Sequence, residues 1–308
     1  MVAPLSAAAR PEIPAPPPAT PPTITALTPT TLASTYEANR ANATQAADMA
    51  AAHGDPHRAT ADRALASPSR NLLTYDGRGT GRATEVLGDL PHATNVAVLV
   101  PGSDTSIDTY ARFHKAASAL YSDLTARSTT PTHTHPHVAV IAWLGYETPA
   151  TVSTTVTTTT RADEAAPRLR TFIRDLHHLT PASARITLLC HSYGSVVCGR
   201  AAPGLDADDI ALIGSPGTGA DSVADLHTRA HVWSARGSND WVSHVPHTRI
   251  SLFGKTIGLG TDPVFRAFGA RVFDAGDADH SGYFTPGSTS LANLARITLG
   301  VPSEVTRA

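Results

Sequence analysis

The stretch ITLLCHSYGSVVCGRAA, residues 186 to 202, changes its pattern at one serine. The apolar run before it reads as a buried strand, and the small residues after it read as a helix. A serine at such a junction, with small residues two before and two after it, can be held in a strained turn that exposes its hydroxyl as a nucleophile. That serine is Ser192, flanked by Cys190 and Gly194.

A serine needs a base, and the base needs an orienting carboxylate. Asp240 sits in the turn that closes HVWSARGSND, at the strand end where an acid is required. Fifteen histidines compete to be the base. His244 and His247 follow Asp240 too closely to fold back from another loop, and His133, His135 and His137 precede a strand and so fall at the wrong edge. His280 follows the last expected strand and precedes a terminal helix, and is taken as the base. Oxyanion donors would be the Tyr193 N–H and, because Pro101 has none, the N–H of Ser103 or Asp104. Tyr146, Trp241, Tyr283 and Phe284 fall near these positions, either lining a substrate pocket or forming walls of the core. The chemistry expected of this set is acyl transfer from an ester to water, with no cofactor or metal.

These residues must be positioned by a sheet. NLLTYDGRGTGRATEVLGDL reads as a hairpin around Asp76-Gly77-Arg78-Gly79, with no helix behind its glycines to make a phosphate loop. NVAVLVPGSD, HVAVIAWLGY, ITLLCHS, DIALIGSPG and HVWSARGSND then alternate with helical patterns. Such interleaving predicts an α/β fold, a mainly parallel sheet with helices on both faces and ligands at the carboxyl ends of its strands. Residues 1–24 are Ala/Pro-rich and read as a disordered tail, 25–67 as a helical N-terminal extension broken at Gly54-Asp55-Pro56, and 68–308 as the main domain. The Thr tract within 151–160 reads as a surface loop rather than a mobile cover, and GSPGTGA at 214–220 as a turn after a strand. The alternate histidines of HTHPH lack a carboxylate or cysteine that would complete a metal set.

Composition narrows the function classes. A formal net charge of −2 without a basic stripe argues against a nucleic-acid partner. No run approaches the ~18 apolar residues of a membrane span, and prolines interrupt the start before a secretory core can form. The expectation is a cytoplasmic protein, or a secreted one if the gene start is truncated, acting on a small-molecule acyl ester, with its oligomeric state open. The two cysteines, Cys190 and Cys198, are expected to be small buried residues rather than a disulfide framework.

The hairpin with the strand after it, the segment LLCHSYGSVVCGRAA, DDIALIGSPGTGADSVADL and ADHSGYFTPGSTSLANLARI occur in an order that resembles the actinobacterial α/β-hydrolase family first catalogued as a domain of unknown function. The resemblance runs from about residue 30 to 300. It implies an α/β-hydrolase fold with Ser192 as nucleophile, His280 as base and Asp240 as acid, and brings no firm substrate with it; the reading taken from the residues is a serine hydrolase of carboxylic esters. Acyl transfer on the same triad, or a binding protein that keeps the fold without turnover, are the alternatives. In that family the elbow more commonly begins with glycine, and Cys190 departs from it.

Overall fold

In the computed structural model, which describes residues 13–19, 29–128, 137–151, 158–244, 250–252, 255–257 and 259–308, the apolar runs assemble into one large sheet. Its strands are β1 (Asn71–Asp76), β2 (Arg82–Gly88), β3 (Asn95–Val100), β4 (Val138–Leu144), β5 (Arg185–His191), β6 (Asp209–Ile213), β7 (His231–Ala235) and β10 (Arg271–Val272). A separate antiparallel pair joins β8 (Ile250–Leu252) to β9 (Lys255–Ile257). The eight-stranded sheet runs in the order β1-β2-β4-β3-β5-β6-β7-β10, antiparallel where β2 meets β1 and β4 and parallel elsewhere. The α/β expectation holds in this arrangement. The sequence reading missed β8, β9 and β10, whose two or three residues are too short to show a period.

Alternation explains why the central strands are apolar throughout. On β3, Val96, Val98 and Val100 join one core while Ala97 and Leu99 join the other. The first core is closed by α4 (Thr160–Leu176) and α5 (Gly194–Ala201), the second by α3 (Tyr110–Ser128) and α6 (Thr289–Thr298). The chain before β1 forms α1 (Pro29–Ala52) and α2 (Pro56–Leu65), with the expected break between them. On α1, Leu32, Thr35, Asn39, Ala43, Ala46 and Ala50 recur at helical spacing as the buried stripe. The Asn39 amide donates to the Leu72 and Leu73 carbonyls at 3.1 and 3.0 Å, so α1 covers the β1 edge that would otherwise be an unpaired ladder.

Most of the expected N-terminal tail, 1–24, lies outside the described residues. In the part that is described, 13–19, Pro16 is buried and Asn42 donates to the Pro17 carbonyl at 3.0 Å. A proline-rich piece already restricted in φ costs less entropy to lay against a helix. Most of the Thr tract, residues 152–157, and His133 and His135 of the histidine cluster also lie outside the described residues.

The decisive local structure is the turn between β5 and α5. Ser192 has φ of 53°, a left-handed value that non-glycine residues rarely adopt. Its N–H donates to the Ile213 carbonyl at 2.9 Å, and the Ser195 hydroxyl donates back to the Cys190 carbonyl at 2.9 Å. Gly194 packs so closely on β3 that a Cβ there would collide with the Val100 and Pro101 carbonyl oxygens. Glycine is therefore required at that position, as the motif asks.

The expectation of two unbridged cysteines is corrected. Cys190 and Cys198 form a disulfide, with their Cα atoms 6.4 Å apart and both side chains fully buried. The turn folds α5 back along β5, bringing residues eight apart in sequence into bonding range. A loop this short yields about 2–3 kcal/mol by loop-closure entropy. The double variant Cys190→Ala/Cys198→Ala is expected to melt roughly 3–5 °C lower, and wild type under reductant should converge on it. Calorimetry with and without dithiothreitol checks this, and coincident melting of wild type and variant without reductant would remove the cross-link from the account.

Candidate active site

Three loops at the carboxyl ends of the parallel strands bring the chemical residues together. Ser192 projects from the turn after β5, Asp240 from the turn after β7, and His280 from the irregular chain between β10 and α6. His280 Nε2 lies 2.9 Å from the Ser192 Oγ, and His280 Nδ1 lies 2.9 Å from Asp240 Oδ1. The three side chains chosen from sequence thus form one continuous hydrogen-bonded row.

Asp240 has no exposed side-chain surface. Burial alone would push its carboxyl up, but bonds from His280, from the Tyr283 hydroxyl at 2.5 Å and from the Val242 N–H at 2.9 Å outweigh it and hold the pKa below the usual carboxylate range. Tyr283 is pushed up by its own burial and then by the carboxylate it faces, so it remains a phenol that donates. Its oxygen in turn accepts from the Gly237 N–H at 3.1 Å. The arrangement can hold an imidazole in one tautomer, with the Nδ1 proton toward Asp240 and Nε2 free to accept from a serine hydroxyl.

The oxyanion candidates separate. Neither the Tyr193 nor the Ser103 N–H is taken by another described residue. The Asp104 N–H, by contrast, donates to the Pro149 carbonyl at 3.0 Å, and its carboxylate accepts from the Thr151 N–H and hydroxyl at 3.1 and 2.5 Å. Asp104 is corrected from donor to loop anchor. Which of two adjacent amides faces a site depends on one peptide orientation, which the sequence alone does not set.

Ser192, His280, Gly102, Ser103 and Tyr193 line a cavity of about 480 Å³. Its walls include Leu99, Phe113, Leu189, Val242, Leu259 and Phe284, so the interior is mainly apolar. Trp241, half exposed at 50%, stands at the rim with its ring 4.7 Å from that of His280. Of the expected pocket residues, Trp241, Tyr283 and Phe284 are in this wall and Tyr146 is not. Tyr146 is buried in the α4/α5 core, stacked on Trp143 at 6.0 Å, and its hydroxyl donates to the Pro101 carbonyl at 2.6 Å. It braces the back of the 101–104 loop instead of facing the cavity.

Two residues of the site were missed by the sequence reading. His191 was passed over in favour of its neighbour, although a polar residue ending a buried strand beside a nucleophile is itself a signal. Gly214, read as an ordinary turn glycine, has φ of 54°, and a Cβ there would lie 2.8 Å from Asp240 Oδ2, 2.9 Å from the Tyr283 ring and 3.2 Å from His280 Nδ1. Among the described residues no group of three or more His, Cys, Asp or Glu side chains is placed to hold a metal.

A family model described as alpha/beta hydrolase matches residues 76–250, more than half of the chain. An uncharacterized protein of Mycobacterium tuberculosis is 31% identical over 259 residues, covering 74% of this chain and 39% of that protein, so the chain spans well under half of that relative's length. An uncharacterized protein of Mycobacterium bovis is 29% identical over 245 residues, covering 76% of this chain and 81% of its own length. Among solved structures, an α/β serine hydrolase without lid from Xanthomonas campestris aligns with a TM-score of 0.43 at 16% identity, over 79% of this chain and 98% of that one.

The crowding at Gly214 gives a specific expectation. Gly214→Ala should displace the Asp240–His280 pair and lower kcat for an activated ester about 10- to 100-fold. Gly287→Ala meets the same backbone strain at φ of 78° with open space around its Cβ, so it should cost stability and leave turnover near wild type. Steady-state kinetics on both variants, with melting curves, separates the two effects; equal kcat in the pair would mean that Gly214 does not guard the site.

Proposed function

The chain belongs to the alpha/beta hydrolase family, and from that premise we propose that it is a serine hydrolase acting on carboxylic esters. The observation that carries the proposal is the row Ser192–His280–Asp240, with both links at 2.9 Å, at the wall of an apolar cavity. In the proposed reaction His280 Nε2 takes the Ser192 proton as Oγ bonds to the ester carbonyl carbon. The N–H groups of Tyr193 and Ser103 receive the resulting oxyanion. The carbonyl reforms as the alcohol leaves with the proton from Nε2, and water, deprotonated by the same imidazole, then releases the acid and restores Ser192. Asp240 orients the ring throughout and balances the imidazolium without taking the proton.

Apolar walls suit a hydrocarbon acyl group better than a charged one. No described helix is long and apolar enough to cross a membrane. A disulfide persists in oxidising surroundings, which favours a secreted or otherwise oxidised setting over the cytoplasmic expectation.

A fluorophosphonate probe is expected to label wild type at Ser192 and to leave Ser192→Ala unlabelled. Hydrolysis of p-nitrophenyl butyrate should fall as pH drops, because only the neutral imidazole accepts the proton, and His280→Ala should lose about 10⁴-fold or more in kcat. Labelling without release of acid in water, but with product when an alcohol is supplied, would replace hydrolysis by acyl transfer. An unlabelled wild type would leave a binding protein as the reading.

A further inference from the structure

His191 ends β5 one residue before Ser192, and the proposed mechanism gives it no part. Its imidazole lies in the wall of the cavity, and its Nε2 sits 2.6 Å from the backbone carbonyl oxygen of His280. A carbonyl only accepts, so the His191 proton is on Nε2 and is donated to His280. The two rings are 4.9 Å apart, and the Tyr283 ring is 5.8 Å from that of His191.

The segment that carries His280 is irregular. The Gly282 N–H to the Asp279 carbonyl and the Ser281 N–H to the Asp279 carboxylate close a local turn, and Asn239 ties the Asp277 carbonyl to the loop after β7. None of these bonds reaches the backbone of His280 from β5. Among the described residues the His280 carbonyl has one donor, and that donor is His191. A single side chain therefore connects the strand that ends at the hydroxyl with the backbone from which the imidazole hangs.

We infer that His191 is a positioning residue for the reaction proposed above, its bond to the His280 carbonyl setting how far the His280 ring stands from the Ser192 hydroxyl. The inference rests on the serine-hydrolase reading. Histidine suits the task because the donor must be neutral. During turnover His280 becomes imidazolium, and a lysine or arginine at position 191 would oppose that charge at close range. Burial, and then the neighbouring His280, push the His191 pKa down to about 4, so it donates without carrying charge.

Side-chain length makes the inference testable. The amide nitrogen of glutamine reaches about as far from the backbone as an imidazole Nε2, whereas that of asparagine stops near the Nδ1 position. His191→Gln should keep most of the wild-type kcat on p-nitrophenyl butyrate, whereas His191→Asn and His191→Phe should lose about 10- to 100-fold in kcat. KM should change less than kcat, staying within about threefold in His191→Gln and His191→Asn, since a misplaced base leaves the apolar side chains of the wall in place.

The measurements are kcat and KM on the full chain, thermal melting, and fluorophosphonate labelling of wild type and Ser192→Ala. Wild-type kcat in His191→Phe, or equal kcat in His191→Gln and His191→Asn at matched melting temperature, overturns the positioning role. If His191→Phe does not fold, the contrast between glutamine and asparagine decides. A wild type that neither labels at Ser192 nor turns over ester sinks the serine-hydrolase reading and this inference with it; a labelled, active wild type with indifferent His191 variants sinks only this one.

Discussion

The left-handed backbone at Ser192 is the constraint on which the site depends. A non-glycine residue at φ of 53° costs on the order of 1–2 kcal/mol and persists only where its surroundings over-determine it. Here they do so from four directions. The Ser192 N–H is bonded to β6, the Ser195 hydroxyl closes the turn onto Cys190, Gly194 is packed on β3, and the disulfide fastens the last residues of β5 to α5. All of these restraints come from the middle of the parallel sheet, the part of the molecule with two cores to resist deformation. Cysteine at position 190 thus keeps the small size the turn requires and adds a covalent restraint that glycine could not supply.

Around that turn the polar groups are arranged so that the His280 imidazole lies between a carboxylate and a hydroxyl. Asp240 is desolvated yet has three donors, which is the condition under which a buried carboxylate stays ionised. Tyr283 holds the outer carboxylate oxygen, and Gly214 leaves the space that the Asp240–His280 pair occupies. His191, the second imidazole, is kept neutral by burial and donates its proton to a backbone carbonyl. Two histidines 4.9 Å apart are therefore not equivalent: one has a carboxylate partner and the other does not.

The fold and the three central residues were legible because each rests on a pattern longer than a few residues. Continuous apolar runs marked the central strands and their ends marked an edge; Ser192 and Asp240 follow two of those runs, and His280 comes next in chain order, ahead of the terminal helix. What was not legible depends on orientation at single positions. Tyr146 is close to the site in sequence terms, but its ring turns to the α4/α5 core. Asp104 and Ser103 differ in which way one peptide faces. Cys190 and Cys198 are too few to suggest a framework, and only the sharpness of the turn brings them together. Gly214 bears on three residues far along the chain from it, a contact that no local pattern encodes.

The N-terminal helices belong to the same construction as the loops that line the cavity. Arg58 of α2 donates to Asp108 through Nε at 2.6 Å and to the Gly77 and Gly79 carbonyls at 3.1 Å each, so one buried guanidinium holds the β1–β2 turn against the short helical turn at 107–109. That helical turn is joined directly to the cavity loop, because the Thr109 hydroxyl donates to the Asp104 carbonyl at 2.9 Å while the Ile107 N–H donates to the Thr80 carbonyl at 3.1 Å. Of this pair Arg58 is buried and Asp108 is partly exposed, so removing Asp108 would leave the buried guanidinium without its carboxylate partner. From α2 through Arg58 and Asp108 to Asp104, the helices before the sheet therefore bear on the loop that carries Ser103, and the sequence before β1 is part of what shapes the cavity.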